Sequence, residues 1–151
     1  MAIGVGEKLP DFDLPTSAGG RVRRNDLVGS RTVLYFYPKD DTSGCTLEAR
    51  EFTSLLDDFA ARGVRVLGVS PDSAASHDRF TKKCGIGFPL VSDPDKELAT
   101  ALGVWVEKSM YGRSYMGIER STFLVGADGK VEREWRKVKA SGHAREVLAS
   151  L

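Results

Sequence analysis

The chain has 151 residues and a formal net charge of +1, enough length for a single domain with a real core and no charge excess to attract a polyanion. Nucleic-acid binding therefore lacks electrostatic support, and no apolar run approaches the roughly 20 residues that cross a bilayer. Two cysteines do not make a secreted disulfide scaffold. The expectation is one domain over residues 1–151 in a reducing cytoplasm, with no nucleic-acid or membrane partner. Met1 to Asp11 has no charged segment followed by an apolar stretch, so no secretory signal is expected. His77 and His143 lie far apart and share no metal-ligand spacing with the cysteines, which argues against a metal site.

In chain order, Phe12 to Leu14 and Arg21 to Arg23 flank Ala18-Gly19-Gly20 and read as a short N-terminal hairpin. Thr32 to Tyr37 is a continuous apolar and aromatic run, the pattern of a strand buried on both faces, and Pro38 ends it. Phe52, Leu55, Leu56 and Phe59 follow helical spacing, with Gly63 where a left-handed terminus belongs. Val64 to Val69 is a second buried strand and completes a βαβ unit. A helix is predicted from Ser73 to Lys83 and an extended piece at Pro89 to Val91. Asp93-Pro94 caps a third helix that runs through Leu102 and stops at Gly103. Ser121 to Val125 and Val131 to Trp135 flank Asp128-Gly129, a hairpin signal. The alternating charges from Lys130 to Lys139 mark a solvated strand, and Val147, Leu148 and Leu151 stripe a last helix. This order predicts an α/β domain with a central mixed β-sheet flanked by helices and an N-terminal β-hairpin, which a thioredoxin-like arrangement fits.

Cys45 falls where the first buried strand has ended and the first helix begins. Free N–H groups and partial positive charge at a helix start favour an anion, and for a thiol the anion is the nucleophilic thiolate. The plain alternative is a small apolar residue packed at a helix end. No cysteine follows three residues later, which removes a C-x-x-C exchanger. A cysteine hydrolase needs a histidine base, whereas His77 falls on a predicted surface helix and His143 near the C-terminus. Peroxide reduction needs less: donors to two oxygens and a cation. Thr42 offers a hydroxyl one turn before Cys45, the loop offers N–H groups, and Pro38 can shield the sulfur from water.

Pro38-x-x-x-Thr42-x-x-Cys45 resembles the peroxidatic motif of the peroxiredoxins. Tyr35 to Asp40, Cys45 to Glu48, Ser70-Pro71-Asp72, Phe88 to Asp93, Met110-Tyr111-Gly112 and Ile118 to Phe123 resemble the bacterioferritin comigratory protein, or peroxiredoxin Q, branch. The resemblance covers nearly the whole chain. It implies a thiol-dependent peroxidase for hydrogen peroxide and organic hydroperoxides, monomeric, recycled by thioredoxin or a similar dithiol, with no cofactor. Cys45 would be oxidised to a sulfenic acid, Thr42 would orient the peroxide and Pro38 would shield the thiolate. Arg120 would stabilise the thiolate, held in place by Glu48; its plain alternative is a surface arginine at a strand end.

The resolving cysteine departs from the pattern. In many members of the branch it lies five residues after the peroxidatic one, where this chain has Arg50. Others carry it on the next helix, about one turn before Cys84, near Thr81. Cys84 is therefore the candidate resolving residue, while its i, i+4 spacing from Phe80 equally suits simple inward packing. A Cys45–Cys84 disulfide would require local unwinding, for which Gly44, Gly85 and Gly87 give latitude. Two alternatives stay open: a one-cysteine peroxidase resolved by an external thiol, with Cys84 structural, and a redox sensor or holdase.

Overall fold

The computed structural model describes residues 2–151. Five strands form the central sheet: β3 (Arg31–Phe36), β4 (Val64–Ser70), β5 (Leu90–Ser92), β8 (Ser121–Val125) and β9 (Val131–Trp135). Their order is β5-β4-β3-β8-β9; the first three are parallel, β8 pairs antiparallel with β3 and β9 antiparallel with β8, so the sheet is mixed as expected. The N-terminal hairpin pairs β1 (Asp13–Pro15) with β2 (Arg21–Arg23) as a separate two-stranded sheet. Asp128-Gly129 turns β8 into β9, whose Glu132, Arg133 and Glu134 face solvent as their alternating signs predict.

Strand alternation sorts the core into two layers. Val33, Tyr35 and Tyr37 point to a layer holding Phe52, Phe59, Phe80, Val147 and Cys45, under α1 (Ser43–Ser54), α2 (Leu56–Ala61), α3 (Ala74–Cys84) and α5 (His143–Ala149). Leu34 and Phe36 point the other way, to Leu9, Leu27, Leu98 and Phe123 beneath the N-terminal segment and α4 (Glu97–Ala101). Every residue from Thr32 to Tyr37 is buried, which accounts for the unbroken apolar run. Asp93 caps α4 as predicted, its carboxylate accepting the N–H groups of Glu97, Leu98 and Ala99 at 2.9–3.1 Å.

Three features differ from the sequence reading. The first helix is two helices: Leu55 leaves helical geometry at φ −105°, ψ 5°, and its N–H bonds the Phe52 carbonyl in a tightened turn. The Ser54 hydroxyl donates to the Glu51 carbonyl at 2.7 Å and competes with the ladder there. Gly63, at φ +70°, ends the second helix as expected. A further hairpin, β6 (Trp105–Met110) with β7 (Arg113–Ile118), was not anticipated. It stands outside the main sheet and is largely exposed, so it has no apolar alternation to betray it. Its turn, Tyr111-Gly112, has both φ values positive, the geometry of a two-residue hairpin loop. Finally, His77 does not lie on the surface: α3 turns it inward and buries it completely.

Candidate active site

The site forms at the carboxyl end of β3, where the chain leaves the sheet through Tyr37 and Pro38 and re-enters order at α1. Asp41 takes a left-handed conformation, φ +59°, which lets the loop reverse before the helix. Thr42 precedes α1 in an extended conformation, and its carbonyl accepts the Thr46 N–H at 2.8 Å. Its hydroxyl does not cap the helix but donates to the Lys39 carbonyl at 2.9 Å. That fixes the hydroxyl proton and leaves oxygen lone pairs to accept from another donor.

Cys45 is the third residue of α1, with only 2% of its surface exposed. Arg120, in the short link between β7 and β8, reaches across the sheet end to it. Its Nη2 donates to Cys45 Sγ at 3.3 Å, and its Nη1 donates to Glu48 Oε1 at 2.5 Å. Gly44 keeps this approach open, since a Cβ there would meet Nη2 at 3.2 Å. Glu48 is one helical turn after Cys45 and fully buried. Burial pushes its carboxyl up to about 7, against the downward pull of Arg120. For Arg120 burial acts downward, yet Glu48 and Cys45 outweigh it and hold the guanidinium above its ordinary value. A forked cation thus binds a sulfur and a carboxyl at once. Glu48 Oε2 has no hydrogen-bond partner among the described residues.

An open cleft of about 520 Å³ lies in front of Arg120. Pro38 and Val138 line it on one side, and Val106, Lys108 and Tyr115 of the β6–β7 hairpin on the other. Lys108 donates to the Ile118 carbonyl, and burial with the nearby Arg120 holds its ammonium below the usual lysine value. Tyr35 shares the buried layer of Cys45 and stacks on Phe52 with ring centres 4.6 Å apart.

Cys45, Arg120, Glu48, Thr42 and Pro38 are thus brought together at one sheet end. Cys84 is not in that contact set. It is the last residue of α3, half-buried against the same apolar layer as Cys45, and both thiols are free. Gly85, at φ +63°, ends the helix directly after it. Sequence reasoning gave Asp40 and Lys108 no role and set His77 aside as a residue of a surface helix. Asp40 and His77 stand among polar neighbours, Lys39-Asp40-Asp41 and Ser76-His77-Asp78, so nothing in the sequence marked them as buried.

The AhpC/TSA family profile matches residues 5–134. Peroxiredoxin Bcp of Xanthomonas campestris is 51% identical over 93% of this chain and 89% of its own length. The chain belongs to the AhpC/TSA family, in its peroxiredoxin Q branch. Among solved peroxiredoxins, a serine variant of Xylella fastidiosa PrxQ superposes with a TM-score of 0.94 at 44% identity, covering 99% of this chain and 96% of the other. Another neighbour is a Xanthomonas campestris bacterioferritin comigratory protein solved as trapped intermediate and ligand complexes and described by its alkyl peroxide reduction activity. It has a TM-score of 0.91 at 47% identity, over 97% of this chain and 96% of the other. As a peroxiredoxin, the chain has the thioredoxin-like fold of that family and is an oxidoreductase, a peroxidase that works through a cysteine thiol.

Proposed function

We propose that Cys45 is the peroxidatic nucleophile and that the enzyme reduces hydrogen peroxide and organic hydroperoxides. The observation that carries this reading is the Arg120 Nη2 to Cys45 Sγ contact of 3.3 Å at the start of α1. A cation and the free N–H groups of a helix start both favour the thiolate over the thiol. The thiolate attacks one oxygen of ROOH; the O–O bond breaks, Cys45 becomes a sulfenic acid, and RO⁻ leaves to take up a proton. Arg120 and the loop N–H groups stabilise the charge that moves from sulfur to the departing oxygen. The Thr42 oxygen, its own proton committed to Lys39, accepts the peroxide O–H and orients it. Pro38 keeps water from the sulfur. Alkyl peroxide reduction, the activity named for the Xanthomonas campestris relative, is the nearest chemical precedent.

Cys84 then attacks the sulfenic acid, water leaves, and a Cys45–Cys84 disulfide forms. Thioredoxin or a similar dithiol reduces it by exchange. Among the described residues no helix is long and apolar enough to cross a membrane. The resemblance to the peroxiredoxin Q branch supports an enzyme that works as a monomer in the cytoplasm. A second reading is favoured by the packing of Cys84 against the apolar layer: Cys84 is structural and an external thiol resolves Cys45. Thioredoxin-coupled peroxide consumption separates the two. Cys45→Ser abolishes turnover under both readings, and measurable turnover in that variant would overturn both. Cys84→Ser stops thioredoxin-coupled turnover after the sulfenic acid under the first reading and leaves it at the wild-type rate under the second.

A further inference from the structure

Asp40 and His77, behind the Pro38–Thr42 loop, are buried as deeply as the core, yet none of the chemistry above uses them. Asp40 lies midway between Pro38 and Thr42 and is only 6% exposed. One carboxylate oxygen accepts the Tyr37 hydroxyl at 2.6 Å; the other accepts the Ser76 hydroxyl at 2.8 Å and lies 2.7 Å from His77 Nδ1. His77 Nε2 lies 2.9 Å from the Val91 carbonyl, a group that can only accept, so Nε2 carries a proton. Two hydroxyls donate to Asp40 and the His77 ring adds a third partner, so both carboxylate oxygens and both ring nitrogens are satisfied inside the protein. The Asp40 backbone N–H donates to Asp72 at 2.8 Å, and Asp72 in turn takes the Ser70 hydroxyl at 2.6 Å. One buried point thus joins the catalytic loop, the start of α3, β4 and β5.

We propose that Asp40 and His77 form a clamp that positions the Pro38–Thr42 loop and stays closed while the chain unwinds on either side of it. The second half of this statement rests on the Cys45–Cys84 disulfide proposed above. Asp40 precedes Cys45 by little more than one helical turn of sequence, and His77 precedes Cys84 by two turns on the same helix. Unwinding that starts at the two cysteines therefore meets the clamp from both directions. A different tie spans the moving part: Lys83, adjacent to Cys84, pairs with Asp41 at 2.9 Å, and both side chains are more than half exposed. That solvated pair can open at little cost, whereas opening the buried one leaves polar side chains in the core without their hydrogen-bond partners. The loop carrying Thr42 and Pro38 is thereby returned to the same place after each cycle. Asp40 and His77 are positioning residues, acting on the peroxide only through that loop.

The test has two arms that do not share a failure. In the first, stopped-flow oxidation of Cys45 by one equivalent of peroxide is followed in His77→Phe, which fills the ring's space without its donors, and in His77→Asn, which restores a donor near Asp40. The clamp predicts that His77→Phe slows peroxide attack tenfold or more and that His77→Asn recovers at least a third of the wild-type rate constant. A folded His77→Phe with a wild-type rate constant overturns it, and so does a loss shared equally by both variants. In the second arm, amide hydrogen exchange of the wild-type enzyme is compared between its reduced and disulfide forms. The Asp40 amide keeps its protection while those of Cys45 and Cys84 lose theirs; an Asp40 amide that opens with them overturns the proposal, even where His77→Phe does not fold. Should the wild type form no disulfide, the resolving role of Cys84 and the closed-clamp claim fall together, and the first arm alone decides the positioning of the loop.

Discussion

Arg120 carries two contacts with one planar head, and that geometry sets what its replacements do. Arg120→Met removes both donors from a buried sulfur and carboxyl; kcat/KM for peroxide should fall by about a hundredfold, ~2.7 kcal/mol of transition-state stabilisation. Arg120→Lys keeps the charge but cannot fork, and should retain only part of the rate. Steady-state kinetics on both variants checks this. Glu48 gives a pH signature. Its folded value near 7 lies above the ordinary 4.5, so the folded state holds this proton more tightly than the unfolded chain. The contribution to stability is full below about pH 4.5 and is lost as pH rises through 7, on the order of 3 kcal/mol in all. Urea denaturation from pH 4.5 to 7.5 should therefore show wild type losing stability relative to Glu48→Gln as pH rises. Cys45, Thr42 and Pro38 were legible in the sequence because they share one short segment with fixed spacing. Arg120 was legible only through resemblance, since its partners lie 75 and 72 positions away. His77 was misplaced because one polar residue on a helix gives no sign of which way it faces.

At the level of elements, the sequence reading succeeded where burial imposes a period and failed where it does not. The five-stranded sheet carried strong patterns: a continuous apolar run for β3, one interrupted only by Arg65 for β4, and a turn dipeptide between β8 and β9. The β6–β7 hairpin has mostly exposed side chains, and its loop begins with Tyr111 rather than Asn or Asp, so neither signal was present. The break at Leu55 was hidden because apolar spacing continues across it while a serine diverts one carbonyl. Gly68 in β4 shows how closely these elements fit. A Cβ there would come within 2.9 Å of both Leu90 and the Tyr35 ring. Gly68→Ala should cost ~1–3 kcal/mol by overpacking and displace the Tyr35 ring within the layer that holds Cys45. Denaturant midpoints and peroxide kinetics should decline together in this variant.

The whole molecule places the Cys45 sulfur in one of two core layers rather than on a free loop. Cys45, Phe80 and Ile86 belong to the same buried cluster, and Cys84 packs against its rim. Joining the two thiols must then open a corner of that layer. Oxidation by one equivalent of peroxide should raise the fluorescence of an apolar dye such as ANS, and thioredoxin should return it to the reduced level. No change on oxidation would mean that the two sulfurs can meet without exposing the layer.

The outlying hairpin has an evolutionary consequence. It supplies Val106, Lys108 and Tyr115 to the cleft but pairs with no strand of the central sheet. The wall of the cleft in front of Arg120 is thus a detachable panel, while Cys45 and Arg120 are anchored in the frame. Lineages could retailor the panel for bulkier or more polar substrates and leave the reaction itself untouched.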